Sequence, residues 1–234
     1  IHARGCTAAK LIRIAQQQDI DVVLVQSDPD MESMAADQLR EQDTLVCIGG
    51  NTPDESYLNA KSVLNVAQMQ GVDSLHPGIG FLSENSDFAD MVRNRGINFI
   101  GPPVQSMETM GNKSNAINTS IRLNVPVVPG SHGIMTDVEK AAVVAQEIGY
   151  PILIKAVHGG GGKGIQLVNG PEEFEQLFYR VGVEARSAFG NGDVYLEKYV
   201  TSLRHIEAQL LRDTHGNPHV LGIRDCSVPR DQQT

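Results

Sequence analysis

Between two aliphatic runs, PILIKAV and IQLV, the chain places His158, four consecutive glycines (Gly159, Gly160, Gly161, Gly162), Lys163 and Gly164. A backbone bare of side chains is entropically costly to order. It is kept where amides must come close to a ligand, and successive amides beside an ammonium suit phosphate oxygens. Lys155, inside the first aliphatic run, is a second cation; such a lysine either reaches solvent or points into a cleft that holds an anion. Lys113 follows MGN at the entrance to a helical pattern, where a phosphate would gain from both the ammonium and the helix N-terminus. In isolation Lys113 reads as a solvated lysine. In RHIEAQLL, alternation puts His205, Glu207 and Gln209 on one face and Ile206, Ala208 and Leu210 on the other. That polar face suits a cleft wall or an exposed sheet face equally. Glu197 and Lys198 interrupt the apolar run VYLEKYV, as either a charged face or a nucleotide-binding hinge would.

Two common phosphate motifs are excluded. Gly159, Gly161 and Gly164 satisfy G-x-G-x-x-G, but a dinucleotide fingerprint leads from a strand into a helix; here the loop leads into the strand-like IQLV. A Walker loop needs Ser or Thr after its lysine, whereas Lys163 precedes Gly164, and Val157 stands where its first glycine belongs. Two readings remain: a glycine-rich hairpin lying over phosphates as a flap, or a surface hairpin with a solvated edge lysine.

The elements that must position these residues fall into two unlike halves. AAKLIRIAQQQ and SYLNAKSVLNVAQMQG carry apolar residues at helical spacing, the second ending on Gly71. DVVLVQS reads as a strand; DSLHPG, a helix near NSDFADMVRNRG and the strand INFIGPP follow. Such alternation predicts a parallel sheet with helices on its faces, and a domain boundary shortly after Pro102 and Pro103. The second half predicts helices near 106–123 and 137–148, then strand, glycine loop and strand, then a helix from Pro171 to about Ala188. Three further strands, VYLEKYV, RHIEAQLLRD and PHVLGIRDCS, complete an α+β half, the last two joined by the turn THGN.

Composition bounds the partners. With 41% hydrophobic and 20% charged residues the chain is an ordinary globular protein, and its net charge of −9 argues against nucleic acid and anionic membrane surfaces. No apolar run has spanning length and no signal-peptide pattern is present. Cys6, Cys47 and Cys226 are too few and scattered for a disulfide framework or a metal knuckle. A cytoplasmic location is expected, or a mitochondrial one in a eukaryote. The chain opens without Met directly before a helical pattern and stops in a polar run, so part of a longer polypeptide is expected.

Together, HPGIGFLSEN (His76–Asn85), FIGPP, MGNKSNA, VPVVPGS, IGYPILIKAVHGGGGKGI, EKYV, RHIEAQLL and RDCSV resemble the biotin carboxylase family of ATP-grasp enzymes in order and spacing. ARGCTA resembles that family's opening strand-to-helix turn in altered form. The resemblance covers essentially the whole chain, as the N-terminal portion of such an enzyme. It implies an α/β fold: a Rossmann-like pre-ATP-grasp domain over 1–109, then a truncated α+β ATP-grasp domain over 110–234 with a glycine-rich lid at about 127–199. It implies ATP, Mg²⁺ or Mn²⁺, and biotin as the carrier-bound substrate, with ATP and bicarbonate combining as carboxyphosphate. A biotin carboxyl carrier and a carboxyltransferase, as subunits or domains, and a homodimeric full-length protein are the implied partners. By position, Lys113 and Lys155 would contact the nucleotide phosphates. Gly160, Gly161, Gly162, Lys163 and Gly164 would close over them. Glu197, Lys198, Tyr199 and Val200 would form the adenine hinge, and His205, supported by Glu207, would face the ribose and phosphates.

The departures fall on the other substrates. Ile79 stands where an aromatic residue near biotin is usual, Pro229 where a glutamine lies near the ribose, Gln232 for a histidine, and Thr234 for a lysine that helps hold bicarbonate. A threonine carries no charge with which to anchor an anion. The family's magnesium carboxylates have no counterpart in these residues, so no catalytic residue or metal ligand is assigned and the 234 residues alone are expected to be inactive. The alternative is a diverged ATP-grasp nucleotide-binding module without carboxylase activity; a carboxylate–amine ligase of another ATP-grasp branch fits HPGIGFLSEN and RDCS less well.

Overall fold

A computed structural model describes residues 1–157, 164–201 and 204–227, apart from the side chains of Lys113 and Phe189. The chain divides into two compact units, Ile1–Asn115 and Ala116–Thr234. Among the described residues no helix is long and apolar enough to cross a membrane.

In the first unit, helix α1 (Gly5–Gln17) buries Ala8 and Ile12, one helical turn apart. Strand β1 (Val23–Gln26) pairs in parallel with β2 (Thr44–Cys47), with Leu24 opposite Leu45. Helix α2 (Ala60–Met69) is capped by the Asn59 side chain, which accepts from the Ser62 amide, and buries Val63, Leu64 and Ala67. Strand β3 (Ser74–Leu75) pairs in parallel with β4 (Asn98–Phe99). Between them lies α3 (Ser86–Arg93), which Asn85 caps by accepting from Phe88 N at 2.8 Å. Val25, Tyr57, Leu64, Leu75, Phe88 and Phe99 belong to one apolar core, while Ile12, Val22 and Leu24 belong to a second under α1.

Helix α4 (Val104–Gly111) begins after Pro103, where a missing N–H costs nothing. The single helix expected near 106–123 is instead two, α4 and α5 (Lys113–Arg122), broken at Asn112. Asn112 has extended backbone and its side chain accepts from Asn115 N at 3.1 Å, which restarts the helix as a cap.

The second unit packs two helices on an antiparallel sheet. Asp137 caps α6 (Val138–Ile148), accepting from Glu139 N at 3.0 Å and Lys140 N at 3.1 Å. Strands β5 (Ile152–Ala156), β6 (Ile165–Val168) and β7 (Val194–Lys198) are ordered β6-β5-β7, each neighbour antiparallel. Period-two alternation buries Ile152, Ile154 and Ala156 and leaves Leu153 and Lys155 half-buried on the other face. Ile152, Ile154, Val194 and Leu196 share a core with Phe174 and Phe178 of α7 (Pro171–Phe189), which ends on Gly190 in the left-handed region. Strands β8 (Ile206–Arg212) and β9 (Pro218–Asp225) form a hairpin whose residues are exposed except Glu207. Its register shifts beyond Gln209: Gln209 faces Gly222 and Leu210 faces Val220, so Leu221 is the extra residue of a bulge.

Candidate nucleotide site

Lys155 sits at the end of β5, where the chain turns into the glycine loop. Lys155 pairs with Ile165 across β5–β6, and Ala156 N donates to Gly164 O at 2.8 Å, so the loop closes an antiparallel hairpin. Strand–loop–strand geometry is what the flap reading requires and what a dinucleotide fingerprint forbids. Gly164 takes φ +73, a region open to glycine. Gly160, Gly161, Gly162 and Lys163 lie outside the described residues.

On the other flank Lys155 faces Tyr195, and Leu153 faces Glu197. Lys155 and Glu197 are therefore diagonal neighbours on one face, within reach of long side chains. The Lys155 ammonium donates to Glu197 Oε2 at 2.5 Å, with the two side chains 14% and 21% exposed. A solvated edge lysine would be far more open, so the ammonium is held at a sheet face beside its counter-charge. The phenol of Tyr195, the buried cross-strand partner of Lys155, is pushed up to about 12 by burial and then by the Glu197 charge, and stays protonated.

The segment after Lys155's partner is braced by backbone. Gly130 bridges to Glu197, and a Cβ on it would lie 2.5 Å from Leu196 O, so only glycine permits the approach. Lys198 N donates to Pro129 O at 2.7 Å and Tyr199 N to Pro151 O at 3.1 Å. The Lys198 ammonium is turned away, donating to Gly149 O at 2.6 Å and Tyr150 O at 3.1 Å. Its side chain thus ties the α6–β5 turn, and Val200 follows half exposed at 41%. The Pro-marked segment NVPVVPG is what carries Gly130 and Pro129 to β7.

His205 and Glu207 share the polar face of the hairpin, His205 Nε2 lying 3.5 Å from Glu207 Oε1. Glu207 Oε2 also accepts from Arg224 at 2.7 Å, its opposite residue on β9. The hairpin's open end is clamped by RDCS: Cys226 N donates to His205 O at 2.7 Å, His205 N to Ser227 Oγ at 3.1 Å, and Arg204 to Asp225 at 2.7 Å. Hydrogen bonds from Ser227, then Arg204, hold the Asp225 carboxyl below its usual range.

Lys113 opens α5; its side chain is not among those described. Pro229, Gln232 and Thr234 likewise lie outside the described residues. In the first unit Ile79 stands 79% exposed at a loop tip, between Gly78 at φ +68 and Gly80 at φ +72. That loop rests on residues the sequence did not single out. Phe81, at φ +45, stacks on Tyr57 with centroids 4.6 Å apart. Tyr57 donates to Asp30 Oδ2 at 2.8 Å, and Arg4 and Ser27 also donate to Asp30. Burial works to raise the Asp30 carboxyl, and these donors together hold it below its ordinary value. The signal available was weak: Tyr57 and Phe81 are separated by α2, and no periodicity links them.

Among the described residues no group of three or more His, Cys, Asp or Glu is placed to hold a metal ion. They therefore do not fit a resident metal, and no step is routed through one.

The chain is similar to known proteins in sequence and in fold. Residues 1–107 match the family model described as biotin carboxylase, N-terminal domain, and residues 112–234 that described as carbamoyl-phosphate synthase L chain, ATP binding domain. Biotin carboxylase 2, chloroplastic, of Populus trichocarpa is 46% identical over 230 residues; the match covers 98% of this chain and 43% of that relative. The crystal structure of a Campylobacter jejuni biotin carboxylase in complex with β,γ-ATP superposes with a TM-score of 0.88 at 38% identity, over 98% of this chain and 51% of that one. The biotin carboxylase domain dimer of Hydrogenobacter thermophilus 2-oxoglutarate carboxylase, with MgADP, ADP and bicarbonate, gives 0.86 at 40% identity, over 99% of this chain and 50% of that one. The chain thus spans about half the length of the relatives it matches. With both of its halves matched in sequence and in fold, the chain belongs to the biotin carboxylase family.

Proposed function

We propose that the protein is the ATP-binding part of a biotin carboxylase, in which ATP and bicarbonate drive carboxylation of biotin on a carrier protein. The observation that carries the reading is Lys155, an ammonium shielded at a sheet face and aligned by Glu197 at the mouth of the glycine hairpin. Bound ATP supplies the phosphoryl group that activates bicarbonate. The chain's own residues position and neutralise it: Lys155 and Lys113 at the phosphates, the amides of 160–164 over them, and backbone groups of Glu197–Val200 at the adenine. Phosphoryl transfer asks mainly for such positioning and charge compensation. His205, oriented by Glu207, lines the same nucleotide. In this reading the first unit is a Rossmann-like pre-ATP-grasp domain over 1–109, and 127–199 is the lid within an ATP-grasp domain over 110–234. A biotin carrier, a carboxyltransferase and a second copy of the full-length protein are its partners.

The test is a full-length protein assayed for biotin-dependent ADP release, wild type against Lys155→Met. Loss of activity with Lys155→Met supports the reading. Nucleotide binding with no response to biotin or bicarbonate in the wild type would assign the chain to a diverged nucleotide-binding module instead. The 234 residues by themselves are expected to bind ATP without sustained bicarbonate-dependent phosphate release, because the described residues assemble no metal centre.

A further inference from the structure

Helix α7 packs Phe174, Phe178 and Val181 into the core of the second unit, yet a second apolar stretch of it is open. Tyr179 is 55% exposed and Val183 69%, and with Arg186 they follow one another along one helix face. Met135 and Thr136 face them across a groove of about 570 Å³, with Phe178 beneath, and Met135 bridges to Val194 of β7. Gly182, a destabilising residue inside a helix, makes the notch: a Cβ on it would lie 3.4 Å from Gly192 O. A Cβ on Gly192 would in turn lie 2.8 Å from Gly182 O and 3.2 Å from Arg186 Nε. The guanidinium therefore occupies, at the end of the groove, the space that a side chain at 192 would need.

Among the described residues Arg186 makes no ion pair and its side chain donates no hydrogen bond, whereas Arg180 of the same helix pairs with Glu184 at 3.8 Å. Asp193, which also lines the groove, is engaged by Asn191, whose Nδ2 donates to it at 3.1 Å. A guanidinium without a counter-charge beside an aromatic and aliphatic hollow is complementary to an anion with an apolar body. We propose that the groove binds a small organic carboxylate with an aromatic or branched aliphatic body. The carboxylate pairs with Arg186, and the body lies on Phe178 and Val183 against Met135. The hydroxyls of Thr136 and Ser187 stand in the same groove as further donors. A partner helix does not fit, because the apolar stripe is one turn long: Glu175 and Gln176 precede Tyr179. Val194 is paired with Ala156 on the sheet face that carries α7, and Lys155 lies on the other, so the carboxylate does not compete with a nucleotide.

The experiment titrates the full-length protein with phenylacetate and with its neutral isostere phenylacetamide by calorimetry. Phenylacetate is expected to bind about tenfold or more tightly than the amide, the worth of a charge-assisted hydrogen bond. Arg186→Gln should weaken phenylacetate by about the same factor. Val183→Asp, at an exposed position that leaves the fold intact, should abolish binding, and circular dichroism verifies that each variant keeps its helices. Arg180→Gln should bind as the wild type does. Saturating ATP should leave the phenylacetate affinity unchanged; a protein that binds no ATP leaves the phenylacetate result standing, so this proposal and the nucleotide reading fail separately. Absence of phenylacetate binding overturns the proposal, as do equal affinities for phenylacetate and phenylacetamide, displacement by ATP, or equal effects of Arg180→Gln and Arg186→Gln.

Discussion

At the scale of single residues, two lysines in neighbouring strands have opposite fates. Lys155 and Lys198 lie on adjacent antiparallel strands, yet one ammonium meets Glu197 on the open face and the other meets two carbonyls of the α6–β5 turn. Lys155→Met leaves a partly buried carboxylate uncompensated. A loss of about 1–3 kcal/mol of stability is expected, measured by chemical denaturation, and ATP affinity should fall about tenfold or more, measured with a fluorescent ATP analogue. Lys198→Met is expected to cost a similar amount, about 1.5–3 kcal/mol for hydrogen bonds from a charged donor. Because its ammonium points away from the strand face of Lys155, ATP affinity should change far less than with Lys155→Met. Equal loss of affinity in the two variants would contradict the separate roles.

At the scale of elements, loops and hairpins differ in how tightly their geometry is prescribed. Gly78 and Gly80 flank Ile79 with similar positive φ, but a Cβ on Gly78 would lie 2.7 Å from His2 O and one on Gly80 would touch nothing. Gly80→Ala is expected to cost about 1 kcal/mol from backbone conformation alone, whereas Gly78→Ala adds a clash with backbone and should cost about 2–3 kcal/mol or more; thermal denaturation of the two variants distinguishes them. On the exposed hairpin the Glu207–Arg224 pair is solvated. Arg224→Ala is expected to move stability by less than about 1 kcal/mol. Any larger effect on nucleotide affinity would then come through Glu207 and the orientation of His205.

At the scale of the whole chain, acid sensitivity follows from buried histidine. His2 is 1% exposed, and burial pushes its pKa down to about 4; His76 is lowered for the same reason first. Both folded pKa values lie below the unfolded one, so between them the unfolded state binds more protons. Stability is complete above about pH 6.5 and is lost as pH falls toward 4, with His2 alone contributing roughly 3 kcal/mol across that window. Below it, Asp43 adds to the loss: burial works to raise its carboxyl, and bonds from Arg40 and from backbone amides outweigh that and bring it to about 2. Denaturant midpoints at pH 7 and pH 5 measure the histidine part, and His2→Gln should flatten the difference.

Most elements and their order were legible in the sequence, because apolar periodicity is local; the short strand β2 was not read from it. The strand–loop–strand character of PILIKAVHGGGGKGIQLV was legible too, since the β-branched and apolar IQLV after Gly164 reads as a strand. The helix entrance at Lys113 was read, but the separate α4 ahead of it was not: an asparagine serves helix interior and cap alike until its side chain is seen to accept a backbone N–H. The pairing of Lys155 with Glu197, 42 residues apart, the approach of Gly130 to β7, and the groove beside α7 belong to tertiary structure alone. A residue's type records whether it prefers burial or charge. Which partner satisfies it is decided by strand order and register, and those are set only when the chain closes on itself.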